Sequence, residues 1–429
     1  MSGAVLDALL FRGGYNATVV AIGCIAFGVA AGALGCFVLL RGRALIADAA
    51  AHATLPGICG AFIAAVLAGG NPRSVPLLLA GAAVTAAIGV LVVNAIARGG
   101  RIRDDAAMAL VISVGFGFGV VLVSVVQSLP VGGQAGLKNF ILGQAAGMGA
   151  ADAQTIAVLC LATLALVAAL FKPLAALCFD RAFAASAGLP VRALDLALMA
   201  LMLAVAVAGL AAVGLVLVVA MMVIPAATAR LATERLALLV PIAATIGGAS
   251  GWVGTAVSAG SPDLPTGATI TLVACALFVV ALLFAPSRGA VAFFARLTRL
   301  RLVVARDHAL RAAHEAAEAG GAAPAWADVA ARCGWSDRAA AWIGRWLRLR
   351  GLIAGGGGTV RLTPRGAAMA AELTRRHRLW ERYLQSAGGM AAGAAGYGAD
   401  LMEHTLPPEV EKAAAAWLET HPPAGGARR

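Results

Sequence analysis

The chain has 429 residues, 61% of them hydrophobic, with a mean hydropathy of +0.88. That composition excludes an ordinary soluble enzyme and fits a protein that crosses a membrane many times. The formal net charge is +12, and it is unevenly spread: 13 Lys+Arg and 9 Asp+Glu lie up to Pro286, whereas 20 and 12 lie from Arg288 onward, with five of the six histidines and six of the seven tryptophans.

Two domains follow: an apolar membrane part and a basic soluble tail. The first residues, MSGAVLDALLFRGGYN, lack the basic start and small-residue cleavage site of a signal peptide. They are expected as a short amphipathic lead-in. Apolar runs long enough to span occur at 18–40, 44–67, 75–96, 106–126, 152–170, 236–257 and 266–284. The run 193–229 is too long for one helix, and the stretch from Gly209 to Gly214 divides it. The expected fold is therefore an all-α polytopic membrane protein of eight or nine transmembrane helices with a mainly α-helical C-terminal domain.

The second span holds Asp48 and His52 in RGRALIADAAAHATLPGICG. A carboxylate near the bilayer centre costs roughly 2.5–3.5 kcal/mol on insertion scales, so it must face protein, water or an ion. Four residues apart on a helix, the two share one face. An oxygen and an imidazole nitrogen there form half a site for a divalent transition metal. A helix cap at Asp48 and a satisfied core histidine at His52 are the plainer alternative. Pro56-Gly57 is expected to interrupt helical hydrogen bonding and let backbone approach a translocation path.

Further on, Gly115, Gly117 and Gly119 read as a helix-packing surface. Residues 172–191 form a loop with Asp180 and Arg181 that suits a short surface helix with a charged face. The arginine-rich connections alternate with poor ones. This places the N-terminus outside, the C-terminus in the cytoplasm and nine crossings in between. The seven cysteines show no CxxC spacing and read as small buried apolar residues. No GxxxxGK[ST], HExxH or GxSxG occurs, so any ATPase is another chain and an intramembrane hydrolase has no support.

In the tail, DVAARCGWS (328–336) gives a helix, a glycine-containing turn and Ser336 as N-cap of a second helix. IAGGGGTVRLTPRG (353–366) alternates like a hairpin, which makes a winged helix. Arg338, Arg345, Arg348 and Arg350 on the second helix, with Ser336 at its start, suit contacts to DNA. An arginine-rich solvated helix used for protein contact is the alternative, and Trp342 and Trp346 on this helix put DNA reading in doubt.

Four segments resemble the ABC-3 permeases, the membrane subunits of bacterial zinc, manganese and iron ABC importers. They are DAAAHATLPGICGAFIA (48–64), FDRAFAASAGLPVRALD (179–195), VGLVLVVAMMVIPAATARLAT (213–233) and DLPTGATITLVACALFVVALLFAP (263–286). The resemblance implies that Asp48 and His52 pass metal along the translocation path. It implies that Phe179, Asp180, Ala184, Gly188 and Leu189 dock an ATP-binding subunit. It also implies a second permease copy or paralogue, an extracytoplasmic metal-binding protein, and a multi-pass place in the bacterial inner membrane. Ligation needs an ionised Asp48 and a neutral His52, so transport should weaken in acid.

LTPRGAAMAAELTRRHRLWERYL (362–384) and DLMEHTLPPEVEKAA (400–414) resemble the diphtheria-toxin-repressor family of metal-dependent regulators. Carried over from that family, Asp307, His377, Glu381, Asp400, Glu403 and His404 are its cytoplasmic metal ligands, although Leu310 stands where a second acidic ligand would be. The domains expected are a permease (1–287), a basic linker (288–305), a winged helix (306–366), metal-binding and dimerisation-like helices (367–420) and a tail end (421–429). The function expected is a non-enzymatic permease subunit for divalent manganese, zinc or iron, with the metal as substrate and as regulatory ligand of a sensing domain. The alternatives are a tethered or proteolytically released DNA-binding repressor, and a secondary transporter needing no ATPase. Membrane lipid and DNA complete the expected partners.

Overall fold

The computed structural model describes residues 2–42, 44–72, 74–98, 102–129, 147–261, 264–286, 288–320, 323–355 and 358–421. It divides into two compact units, Met1–Ala292 and Phe293–Arg429.

The first unit is built from helices α1 (Ser2–Leu9), α2 (Tyr15–Leu40), α3 (Ala44–Leu67), α4 (Val75–Arg98), α5 (Asp104–Ser128) and α6 (Ala150–Ala169). They are followed by α7 (Phe171–Phe179), α8 (Arg181–Ser186), α9 (Val191–Val213), α10 (Leu215–Ala232), α11 (Leu236–Ala259) and α12 (Thr266–Phe284). Among the described residues, eight helices are long and apolar enough to cross a membrane, and the apolar part of α10, Leu217–Ala232, is shorter. Gly214 separates α9 from α10 with φ +84°, a conformation that a residue with a Cβ adopts only under strain.

Helix α2 is the centre of this unit. From Val20 to Val38 most of its residues are buried, many of them Gly and Ala. Small residues let the backbones meet: Gly28 faces Gly247 of α11, Gly32 faces Ala243, and Gly35 faces the backbone of Met222 in α10. Helix α5, by contrast, turns most of its side chains outward.

Pro56 does not interrupt its helix: α3 runs unbroken from Ala44 to Leu67. Neighbouring helices can compensate the hydrogen bond that proline removes in a membrane. Gly57 instead lets α3 lie directly against Gly81 and Thr85 of α4. Two of the three glycines of α5 pack as expected. Gly115 sits on Ala53 and Gly119 on Leu55, while Gly117 meets nothing within 4 Å.

The second unit holds most of α13 (Ala290–Gly320), then α14 (Trp326–Arg332), α15 (Asp337–Leu349), β1 (Ile353–Ala354), β2 (Arg361–Leu362), α16 (Pro364–Gly388), α17 (Ala392–Thr405) and α18 (Pro408–Thr420). The stretch 288–305, expected as a linker, is helical from Ala290, since its apolar residues and arginines are good helix formers. The strands pair antiparallel, Ile353 with Leu362 and Ala354 with Arg361, and Ala325 bridges to Thr359. This is the winged-helix arrangement. Its core joins Leu310, Val329, Ile343, Leu347 and Leu373. Ser336 occupies the N-cap of α15 without a side-chain cap, whereas Thr363 caps α16 by accepting from the Gly366 amide at 3.1 Å.

Candidate metal sites

Helix α3 presents Asp48 and His52 together. His52 Nε2 lies 3.3 Å from Asp48 Oδ1, with the side chains 21% and 28% exposed. Gly115 admits α5 so closely that an added Cβ would lie 3.2 Å from Ala53 Cα and 3.5 Å from the His52 carbonyl. This brings Phe116 edge-on to the imidazole, with centroids 5.3 Å apart at 87°. The other ring nitrogen, Nδ1, is buried and has no hydrogen-bond partner in the structure. The arrangement therefore keeps an oxygen and a nitrogen donor in a partly accessible, apolar-walled place. Among the described residues, no three His, Cys, Asp or Glu side chains group closely enough to hold an ion. Two donors from one helix are fewer than the four protein ligands usual for a resident structural zinc.

The 172–191 loop is two short helices, α7 and α8, not one. Asp180 joins them: its Oδ1 accepts from the amides of Ala182 at 2.8 Å and Phe183 at 3.0 Å, capping α8. Ala184 is fully buried and Leu189 packs on the core, while Gly188 turns the chain with φ +78°. Asp180 and Arg181 are exposed as expected, and two phenylalanines stand out to solvent beside them. Phe179 is 70% and Phe183 63% exposed. Phe179 also lines a groove of about 240 Å³ with Arg230, Thr233, Glu234 and Arg288. Phe183 escaped the sequence reading, although two phenylalanines four residues apart in sequence beside charged residues were a usable signal.

The reading also missed Arg41 and Asp195. Arg41, at the end of α2, donates to the Leu177 carbonyl of α7 at 3.2 Å and pairs with Asp195 of α9 at 3.0 Å. Arg181 of α8 reaches the other oxygen of Asp195 at 3.4 Å. Asp195 is only 13% exposed, and Ile46 of α3 lines the same small cavity. This node ties the exposed phenylalanine surface to the base of α3, two residues before Asp48.

In the second unit, α16 and α17 bring His377 Nδ1 and Asp400 Oδ1 to 3.3 Å. The place between them belongs to Arg311 of α13, whose Nη1 is 2.6 Å from each. As they stand, these residues do not fit a resident ion there. Asp307, one turn before Arg311, is buried and accepts from Arg306 Nε at 2.7 Å. Glu381 accepts from Gln385 at 3.3 Å. The side chains of Glu403 and His404 lie outside the described residues. Burial pushes the nearby Cys333 thiol up to about 11, with Arg311 drawing it down and Asp400 raising it, so it stays protonated at neutral pH.

On α15, Arg338, Arg345, Arg348 and Arg350 are all exposed. Arg348 Nε donates to the Gly344 carbonyl at 3.2 Å and Arg350 lies over the Trp346 ring at 5.4 Å. Exposed Trp342 and Leu349 share a face with Arg338 and Arg345, which suits a protein surface as well as a phosphate backbone.

Residues 15–285 match the ABC 3 transport family, and residues 363–421 match the iron dependent repressor, metal binding and dimerisation domain. Among individual proteins, the chain is 39% identical over 300 residues to the manganese transport system membrane protein MntC of Bacillus subtilis, covering 70% of this chain and 68% of that protein. It is 37% identical over 275 residues to the zinc transport system membrane protein TroC of Treponema pallidum, covering 64% and 91%. Among solved structures, PsaBC from Streptococcus pneumoniae in complex with Fab superposes with a TM-score of 0.58 at 27% identity, over 70% of this chain and 100% of the matched chain.

Proposed function

The chain belongs to the ABC 3 transport family, and from that premise we propose that it is the membrane subunit through which a divalent transition metal, manganese or zinc by its relatives and iron as a third candidate, is imported. The observation that carries this reading is the Asp48–His52 pair, two metal-type donors on one face of α3 with His52 Nδ1 still unpartnered. The metal is the cargo. Each copy offers an incomplete set, so a second copy or a paralogue completes the path, and the ion is held tightly enough to enter and loosely enough to leave.

A separate ATP-binding chain drives the cycle. Phe179 and Phe183 are the knobs on which it presses, and the Arg41–Asp195 node passes the movement to α3. An extracytoplasmic binding protein delivers the ion. The alternating arginine-rich connections favour a cytoplasmic tail. That tail, with its repressor-type domain, senses cytoplasmic metal and adjusts import. Release of the tail as a free repressor has less support. Cleavage between 291 and 306 would have to cut α13, and folded helix resists proteolysis.

The test is uptake of manganese, zinc or ferrous iron in cells carrying this chain with its ATPase and binding protein, against cells carrying the chain alone. Import is expected only with the ATPase. Equal uptake without it would replace this reading with a secondary transporter.

A further inference from the structure

Helix α13 has two halves of different character. In the first, Val291, Phe293, Phe294 and Leu300 are each more than half exposed. In the second, Asp307, Ala309, Leu310, Ala312 and Ala313 are buried, and Leu310 belongs to the winged-helix core. Single exposed apolar side chains are ordinary, but those of the first half are contiguous. Phe293, Leu297, Leu300 and Val304 recur at i, i+4, i+7 and i+11, a stripe along one side of the helix. Phe294 widens it, its ring 5.6 Å from that of Phe293 at 74°. Arg296 and Arg301 lie about 70° to either side of the stripe, with Arg299 further round. All three arginines are exposed, and no Asp or Glu occurs from 290 to 306.

The chain itself says what lies against this face. Helix α12, long and apolar enough to cross a membrane, ends at Phe284, and α13 begins at Ala290. Fully extended chain over that gap reaches at most about 22 Å, so α13 starts close to the end of a membrane span. Residues 290–304 make a helix about 22 Å long. That is shorter than the roughly 30 Å hydrocarbon core, and the helix carries arginines, so it suits lying on a bilayer rather than crossing it. Arginines flanking an apolar stripe rest their stems on the acyl boundary and reach the phosphates with their guanidinium groups. A face both apolar and cationic, without one carboxylate, complements anionic head groups over fatty chains.

We propose that residues 290–304 are an interfacial anchor. Phe293, Phe294, Leu297 and Leu300 sink into the head-group boundary, and Arg296 and Arg301 pair with anionic lipid phosphates. The lipid surface then holds the helix whose second half builds the winged-helix core, and the charge of the lipid sets how firmly.

The test places the full chain in nanodiscs of phosphatidylcholine, with or without phosphatidylglycerol. A trace of lipid with a photoreactive diazirine near the head of its acyl chain is included, and labelled residues are mapped by mass spectrometry. Labelling of α12 is the internal reference. Adducts are expected on Phe293, Leu297 and Leu300 and not on Thr298, across the helix. Relative to α12, they should rise about fivefold with phosphatidylglycerol, the weight of one arginine at an anionic surface. Arg296→Gln with Arg301→Gln should lose that rise. Labelled α12 with no adducts at 293–300 in either lipid means that a second copy or another chain covers the face, and overturns the anchor. Equal labelling of Phe293 and Thr298 overturns the stripe as the buried side. Labelling at 293–300 that is the same in both lipids overturns the pairing with anionic lipid. The wild-type chain alone decides all three outcomes, so a misfolded arginine variant does not rescue the proposal.

Discussion

At the residue scale, function turns on which atoms are left over after folding. His52 spends Nε2 on Asp48 and keeps Nδ1 buried and unpartnered, at the cost of leaving a polar atom without a hydrogen bond. Such a cost is tolerated where an incoming ligand relieves it. The tail shows the opposite economy at several carboxylates, which are matched to arginines. Arg378 holds the Glu318 carboxyl below the usual range, and Arg375 does the same for Glu372. A depressed carboxylate contributes stability that is present above its unfolded pKa, about 4.3 for glutamate, and is lost as pH falls through the folded value. The tail should therefore lose stability below about pH 4.3, and Arg378→Gln should flatten that slope. Thermal melts of the full chain between neutral and acid pH check this. An unchanged acid slope in the variant would show that the pair contributes nothing, the common outcome for exposed ion pairs.

At the element scale, the helices were legible and their mutual contacts were not. Long apolar runs bounded by arginine, glycine and proline mark membrane helices almost without tertiary information, so the expected span at 266–284 coincides with α12. Pro56 removes one backbone donor, yet α3 continues through it, as neighbouring helices allow in a membrane. Asp48 and His52 were legible because an i, i+4 pair needs only its own helix. Arg41 and Asp195 are 154 residues apart, and Arg311 and His377 are 66 apart, so nothing local announces either pairing. Both depend on which helices fold back on which. The Arg41–Asp195 node has a mechanical consequence. Asp195→Asn or Arg41→Gln should leave the chain inserted and the partner ATPase hydrolysing ATP, while metal movement per ATP falls. Exchanging the charges, Arg41→Asp with Asp195→Arg, should restore part of the coupling. Transport and hydrolysis measured together in proteoliposomes decide it. A parallel fall of both, with the ratio unchanged, would make the pair a mere structural tie.

At the scale of the whole molecule, two units with different chemistry share one chain: a Gly- and Ala-rich helical bundle that can carry a metal, and a winged helix joined to a repressor-type dimerisation domain. Fusion gives the importer its own sensor at an effective concentration that a separate protein would reach only by abundance. That logic holds only if the bundle moves metal through Asp48 and His52. The most direct test is uptake in cells expressing the chain with its ATPase and binding protein, comparing wild type with Asp48→Ala and His52→Ala at equal membrane levels. Loss of a direct ligand should cost no less than the roughly 10–100-fold typical of second-shell changes, so uptake should fall at least about tenfold in both variants. Wild-type uptake in both, with the proteins folded in the membrane, would make the pair structural and contradict this account.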